Sequence, residues 1–403
     1  MQDHNPGGRD HGIQYINPAK LDQAGRLFSS KKVRKAICYV LRREEMKIVL
    51  LKNSLWQFLY AVIIGALLCS FSLADEFSLK ANGEIVVDGQ RFAGMEEYLQ
   101  SDYFRDNGKR CGVRKAEGAL DEALARSTSH CTYFLTSIQD EYQPSQVYTL
   151  PVWWHVITDS NGQGYVSDSA IRAQMEVLNE DYRATQGTMG ETGFDISIQF
   201  ELAGITRTAN TAWFTDSDAD EDAYKQALAV DPDRYINIYS NDGRGYLGYA
   251  YYPQGSAGAY WDGIVLMYGA VGGRNNGFGS FDQGRTLVHE MGHYLGLFHT
   301  FEHYDSICDN SYSGGDRIVD TNAESEAHLG CSQTYTCGTA DPIHNYMNYT
   351  NDTCMNSFSR EQANRSVCSL VNYRPGLMVA SEAALPAGDA VIPPFLLQLI
   401  LNN

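Results

Sequence analysis

This chain is short of positive charge. Its 403 residues include 31 Lys or Arg against 49 Asp or Glu, a formal net charge of -18. Nucleic acid needs Lys and Arg to meet its phosphates, so it is not expected as a partner. The shortage is uneven. Residues 1–74 carry 11 Lys or Arg and 5 Asp or Glu, so the +6 there leaves -24 for the remainder. Such an acidic body reads as a soluble surface, with the capacity to supply calcium ligands or to attract basic substrates. Low hydrophobicity is also missing. At 43% apolar and 20% charged residues, wholesale disorder is excluded. No internal repeat is present. Long apolar runs are few, and the C-terminal stretch from Ala390 to Leu401 is too short to span a membrane as a helix.

The one long apolar run is Ser54 to Ala74. It follows Lys47 and Lys52 and ends in Ser72-Leu73-Ala74 before Asp75, the pattern of a secretory signal with its cleavage site. Residues 46–74 therefore read as a signal peptide starting at Met46. Residues 1–45 read as a mis-assigned or cytoplasmic extension. A membrane association is expected only if the apolar segment stays uncleaved. The expected location is secreted, extracellular or periplasmic. Of nine cysteines, Cys38 and Cys69 precede the cleavage point and seven follow it. Disulfides persist in such a compartment, and an odd number leaves one thiol over.

Residues 75–140 are polar, mixed in charge and weakly periodic, and read as a pro-segment. A catalytic region over 141–378 and a tail over 379–403 follow. Tyr148 to Ile157 is strand-like. Ser167 to Ala184 has helical spacing, with Ile171, Met175, Val177, Leu178 and Tyr182 on one broad face. Ile196–Ile205, Tyr235–Tyr239 and Gly263–Met267 are further strands, and Gly245–Pro253 reads as an edge strand ended by its proline. This order predicts an α+β fold with a mixed twisted sheet, a backing helix and a long later helix.

That later helix carries the chemistry. His289-Glu-Met-Gly-His-Tyr-Leu-Gly-Leu-Phe-His299 is H-E-x-x-H-x-x-G-x-x-H. His289 and His293 lie one turn apart on one face. Gly296 lets the chain leave the helix through positive φ, and the turn returns His299 as a third ligand. Three nitrogens with one open place form a catalytic zinc arrangement, and Glu290 is placed to take a proton from water. Five fixed positions arise by chance in about one of several million windows. Ser280 and Gln283 read as a capping box opening this helix. Downstream, Asn345-Tyr-Met-Asn-Tyr349 supplies a methionine, Met347, at the distance of a Met-turn.

With both motifs in place the chain resembles the metzincin peptidases, and within them the pappalysin family, over roughly Val152 to Tyr373. The resemblance implies a zinc endopeptidase acting on protein or peptide substrates. It implies zinc ligation by His289, His293 and His299, a base in Glu290, and a Met-turn at Met347. It implies that Tyr349 stabilises the tetrahedral intermediate as a hydrogen-bond donor. Four cysteines would pair as Cys308–Cys337 and Cys331–Cys354, where the sequence alone allows three pairings. Cys131–Cys368 is the expected third bridge. Asp352 matches the family's acidic floor of the S1′ pocket, which implies cleavage before Arg or Lys through charge-assisted pairing. Asp316, Asp320 and Glu324 lie in a stretch resembling the family's calcium segment, although Asn322 stands where relatives usually carry proline.

Arg110-Cys111-Gly112-Val113 resembles the cysteine-switch motifs of metzincin zymogens, with Cys111 as a thiolate on the zinc until the segment is cut away. A Cys111–Cys131 disulfide is the rival reading. Two other functions stay open from sequence. One is a zinc hydrolase of another acyl substrate, separable by assays on peptides against esters. The other is a non-enzymatic zinc-stabilised binding module, which would have no need of Glu290.

Overall fold

The computed structural model describes residues 77–79, 84–87, 89–106, 110–113, 131, 137–272, 279–302 and 308–378. The chain divides into two units, Met1–Ala74 and Asp75–Asn403, and all described residues belong to the second. The expected extension, signal peptide and C-terminal tail lie outside the described residues. Among those described, no helix is long and apolar enough to cross a membrane.

The central sheet has five strands. They are β4 (Tyr148–Thr158), β5 (Ile198–Ala209), β6 (Ile236–Asn241), β7 (Gly248–Ala250) and β8 (Ile264–Met267), numbered after three strands described below. Their order is β5-β4-β6-β8-β7. The first four run parallel, and β7 pairs antiparallel with β8 at one edge. Successive side chains of a strand point to opposite faces, and the core divides accordingly. Val152, Trp154 and Val156 of β4, Ile236 and Ile238 of β6, and Ile264 and Leu266 of β8 pack in one cluster. Ile157, Tyr239 and Val265 from the same strands pack in another, with Phe214, Tyr224 and Tyr249. A sheet covered on both faces explains why β4 reads as a nearly continuous apolar run.

The first face is covered by α3 (Asp168–Tyr182), through Ile171, Met175 and Leu178, and by α6 (Arg285–Tyr294), through Leu287, Val288 and Met291. Ser167 caps α3 by accepting from the Ala170 N–H at 3.2 Å. The other face carries α4 (Thr211–Thr215) and α5 (Asp218–Leu228). Arg244, held at positive φ in the loop before β7, pairs there with Glu221 at 2.7 Å and Asp216 at 3.3 Å. The last described long helix, α7 (Arg360–Tyr373), starts at a capping box of Ser359 and Gln362. Arg374, just past its end, donates to the Tyr294 carbonyl at 3.1 Å and pairs with buried Asp262. The end of α6 is thereby pinned.

The N-terminal part of the unit is more regular than its composition predicts. Strands β1 (Phe77–Leu79), β2 (Ile85–Val87) and β3 (Gln90–Phe92) form an antiparallel sheet, followed by α1 (Met95–Gln100) and α2 (Asp102–Asp106). Ile85, Val87, Phe92, Tyr98, Leu99 and Phe104 make a small core that also takes in Leu247, Met267 and Phe281. Strands of three residues are too short to show periodicity, and their stability comes from this borrowed apolar surface.

Cys131 pairs with Cys368, Cys308 with Cys337 and Cys331 with Cys354, and Cys111 is free and buried. The Cys111–Cys131 alternative is overturned, because Cys131 is bonded to α7 instead.

Candidate active site

Every residue of α6 is buried, and its geometry is set at both ends. The expected Ser280–Gln283 capping box does not form. The helix begins later, at Arg285, behind Gly284 in left-handed conformation, with no cap from its own segment. The cap comes from across the chain. Asp352 accepts from the Gln283 and Arg285 N–H groups at 3.0 and 3.1 Å, satisfying donors that a helix start leaves open. The Arg285 side chain pairs with Asp181 of α3 at 3.1 Å. At the far end Gly296, with φ of 89°, turns the chain out of the helix.

That turn brings the three histidines together. His293 Nε2 lies 3.1 Å from His289 Nε2 and 3.0 Å from His299 Nε2. The Nδ1 atoms of His289 and His293 face the carbonyls of Tyr346 and Leu297 at 2.6 and 2.7 Å. A carbonyl accepts only, so each Nδ1 carries the proton and each Nε2 turns a lone pair inward. Burial holds both imidazoles well below their ordinary pKa, and the neighbouring imidazoles add to the effect. Converging lone pairs in a buried site are unfavourable without a cation between them. Together with Cys111 these atoms all lie within 4.8 Å of one another, and all four residues are buried. The donor set, three imidazoles and one thiol, fits zinc.

The turn around Met347 forms the floor. Asn345 accepts from the Met347 N–H at 2.9 Å and exchanges amide hydrogen bonds with Gln362 of α7. Gly292, inside the zinc motif, has no room for a side chain, since a Cβ there would collide with the Met347 sulfur. Tyr349 packs edge-on to the His299 ring, with centroids 4.9 Å apart. Its hydroxyl donates to the Cys111 carbonyl at 3.3 Å.

Glu290 lies beside the histidines, fully buried, and burial raises its carboxyl to about 8. The Cys111 thiol donates to Glu290 Oε2 at 3.4 Å, while Oε1 has no hydrogen-bond partner. Burial, followed by the nearby Glu290 charge, pushes that thiol well above its ordinary pKa. A cation among the histidines would act in the opposite sense on both groups. Gly112 donates its N–H to the Gly248 carbonyl of edge strand β7 at 3.0 Å. The segment at Cys111 thereby makes a backbone contact of the kind an added strand would make with this edge.

The calcium expectation is not supported. Asp316 accepts from the Ile318 N–H and the Thr321 hydroxyl, and Asp320 from the Glu361 N–H. Glu324 accepts from Thr300 and Asn348, both at 2.8 Å, and so braces the Met347 turn. Each carboxylate has an oxygen engaged by protein donors, while Glu324 Oε1 is buried without a hydrogen-bond partner. Among the described residues, the histidine and cysteine group is the one cluster with metal-holding spacing.

One contact was not foreseen from sequence. Arg110 is 1% exposed. It donates to the Thr286 hydroxyl at 3.0 Å, lies 3.7 Å from Asp352 Oδ1, and stacks over the Phe281 ring at 4.8 Å. Its position next to Cys111 was the available signal, but a basic residue beside a cysteine has no chemistry of its own until its partners are known.

The family model described as pregnancy-associated plasma protein-A, a peptidase family, matches residues 217–371. An extracellular metalloprotease of Colletotrichum graminicola is 38% identical over 236 residues, covering 56% of this chain and 78% of that protein. An extracellular metalloprotease of Arthroderma benhamiae is 31% identical over 275 residues, or 66% and 83% of the two chains. Among solved structures, Tannerella forsythia mature mirolysin in complex with a cleaved peptide aligns with a TM-score of 0.51 and 30% identity, over 60% of this chain and 100% of that one. A promirolysin mutant from the same organism aligns with a TM-score of 0.53 and 27% identity, over 72% and 97%. Fold and site together define a metalloendopeptidase of metzincin type. The chain belongs to the pappalysin family.

Proposed function

We propose that this metalloendopeptidase is secreted, is held latent by Cys111, and once matured hydrolyses peptide bonds before Arg or Lys. The observation that carries this reading is the convergence of Cys111 with His289, His293 and His299 beside Glu290. A thiol from outside the catalytic region takes the fourth place of a metal site that catalysis needs open. The names of its relatives from Colletotrichum graminicola and Arthroderma benhamiae, extracellular metalloproteases, support export, as does the signal-like run before Asp75.

The histidines would hold zinc, which when bound supplies Lewis-acid polarisation of the scissile carbonyl and of water. Withdrawal of Cys111 frees Glu290 Oε2, and Oε1 already has no hydrogen-bond partner. Glu290 then takes a proton from the attacking water and returns it to the leaving amine. The Tyr349 hydroxyl, which already donates to a peptide carbonyl in the cleft, donates to the carbonyl oxygen of a substrate as negative charge develops there. Strand β7 pairs with the extended substrate backbone, as its Gly248 carbonyl pairs with Gly112. Asp352, buried and with one oxygen lacking a hydrogen-bond partner, attracts a basic side chain.

A peptide-library digest of the matured protein, read by mass spectrometry, tests activity, endopeptidase character and the basic preference together. Cleavage before Arg and Lys that disappears in Glu290→Ala supports the reading. Activity retained in Glu290→Ala, or activity on esters but not peptides, contradicts it.

A further inference from the structure

Buried ion pairs are directional but weakly stabilising, and apolar side chains often replace them without loss. The second face of the sheet nevertheless holds four buried charged residues, Lys225 and Arg244 with Asp216 and Glu221. Both carboxylates reach the same segment, residues 244–251. Arg244 meets them from the loop just before β7. The Tyr249 hydroxyl, on β7 itself, donates to Asp216 Oδ2 at 2.8 Å. The Tyr251 hydroxyl, two residues on, donates to Glu221 Oε1 at 3.1 Å. Lys225 pairs with that same Oε1 at 2.9 Å, donates to the Trp261 carbonyl at 2.9 Å and lies 4.6 Å from the centre of the Tyr251 ring. The segment needs such fixing. Strand β7 has three residues and a single neighbour in the sheet, β8, and short elements with few contacts open easily. Side chains alternate along it. Gly248 looks toward the base, since a Cβ there would stand 2.8 Å from Glu290 Cγ, while Tyr249 looks to the charges behind the sheet.

We propose that Tyr249 and Tyr251, anchored on Asp216 and Glu221, are positioning residues that hold the substrate-binding edge strand at a fixed height over Glu290. This rests on the protease reading given above, in which β7 pairs with the substrate backbone. The Tyr249 ring packs in the cluster on the far face of the sheet from α6, with Tyr251 against it, so neither tyrosine acts on the reaction directly. Arg244 and Lys225 keep the two carboxylates paired, and a charged acceptor holds a hydroxyl more strongly than a neutral one does. That accounts for ionic groups in a place that apolar ones could fill. Pairing with an edge strand relies on main-chain hydrogen bonds, and these bind best when the strand is already in place. A strand free to shift binds an extended chain less tightly, while Glu290 and Tyr349, held by other elements, still turn over what is bound.

A double variant, Tyr249→Phe with Tyr251→Phe, removes both hydroxyls and leaves the ion pairs, since Arg244 stays on Asp216 Oδ2 and Lys225 on Glu221 Oε1. In the matured protein, KM for peptides long enough to lie along β7 is expected to rise roughly tenfold, with kcat changed by less than about twofold. In the full chain, hydrogen exchange read by mass spectrometry should quicken roughly tenfold across residues 247–251 and stay unchanged in β4. Should the double variant fail to fold, Tyr251→Phe alone, at a half-buried position, carries the same test with a rise in KM of roughly threefold. An unchanged KM, a kcat loss as large as the rise in KM, or unchanged exchange at residues 247–251 overturns the proposal. If that happens while the unsubstituted matured protein cleaves peptides, only this inference falls. If that protein cleaves no peptide, the reading beneath it falls as well.

Discussion

The two ends of the cleft are built on opposite electrostatic plans. At the metal end, neutral imidazoles are held by backbone carbonyls, and burial drives His289 and His293 away from protonation. At the pocket end, one carboxylate is oriented by the N–H groups of α6, with an arginine beside it. Helix α6 links the two, since Asp352 caps its start and His289, Glu290 and His293 project from its body. The metal end collects lone pairs for a cation that stays. The pocket end presents an oriented carboxylate to the Arg110 guanidinium. Contacts of 2.6 and 2.7 Å fix the imidazoles, whereas Arg110 and Asp352 lie 3.7 Å apart.

If this contrast is right, substitutions at the two ends should fail in different ways. The largest loss is expected at the metal end. Glu290→Gln should lower kcat on the order of 10²- to 10⁴-fold with zinc content unchanged, since Glu290 is not a ligand. Metal analysis alongside steady-state kinetics checks both halves. Tyr349→Phe should cost on the order of a hundredfold in kcat with little change in KM, because its hydroxyl acts on charge that develops during reaction. A change confined to KM would assign Tyr349 to the wall of the site.

At the pocket end the expected loss is smaller and selective. Asp352→Asn keeps an oxygen to cap α6 and removes the charge. It should lower kcat/KM on Arg and Lys peptides by at least about tenfold and leave neutral peptides nearly unaffected. A thermal melt guards the result, since loss of the cap as well would cost about 1 kcal/mol. An equal fall on all peptides would mean that Asp352 is only a cap.

The smallest effect lies far from both ends. His155, buried in β4 between Thr206 and Asn237, is held at about 4 by burial against an ordinary 6.5. Between those values the unfolded chain binds more protons than the folded one, so stability is full above about pH 6.5 and falls as pH drops toward 4. His155→Asn should flatten that slope in melting curves taken from pH 4 to 7. Asp181 and Asp216, both raised to about 6 by burial, titrate in the same range with the opposite sign. They are common to both proteins and drop out of the difference.

The same contrast separates what the sequence reveals from what it hides. The metal end is written in consecutive letters, because one helix turn and one glycine are enough to bring His289, His293 and His299 together. Met347 and Tyr349 follow in a second short motif. The sheet was legible too, with β4 and α3 within a residue or two of their expected limits, because alternation and helical spacing are local properties. The pocket end was half-legible. Asp352 stood out by resemblance, but Phe281, Thr286, Met355 and Arg110 meet only through folding. The capping box at Ser280 failed for a related reason, because the donors at the start of α6 are met by a residue about seventy positions away. The N-terminal segment hid its strands because three-residue elements take their stability from Leu247, Met267 and Phe281, which lie outside it.

X-ray absorption at the zinc edge, recorded on the full chain before and after maturation, reads out whether Cys111 sits on the metal and leaves it. Three imidazole nitrogens and one sulfur are expected around the metal in the full chain. After maturation the same three nitrogens are expected, with the sulfur replaced by a light oxygen scatterer. A full chain without a zinc–sulfur signal, or a matured and active protein that keeps one, would contradict Cys111 as the blocking ligand.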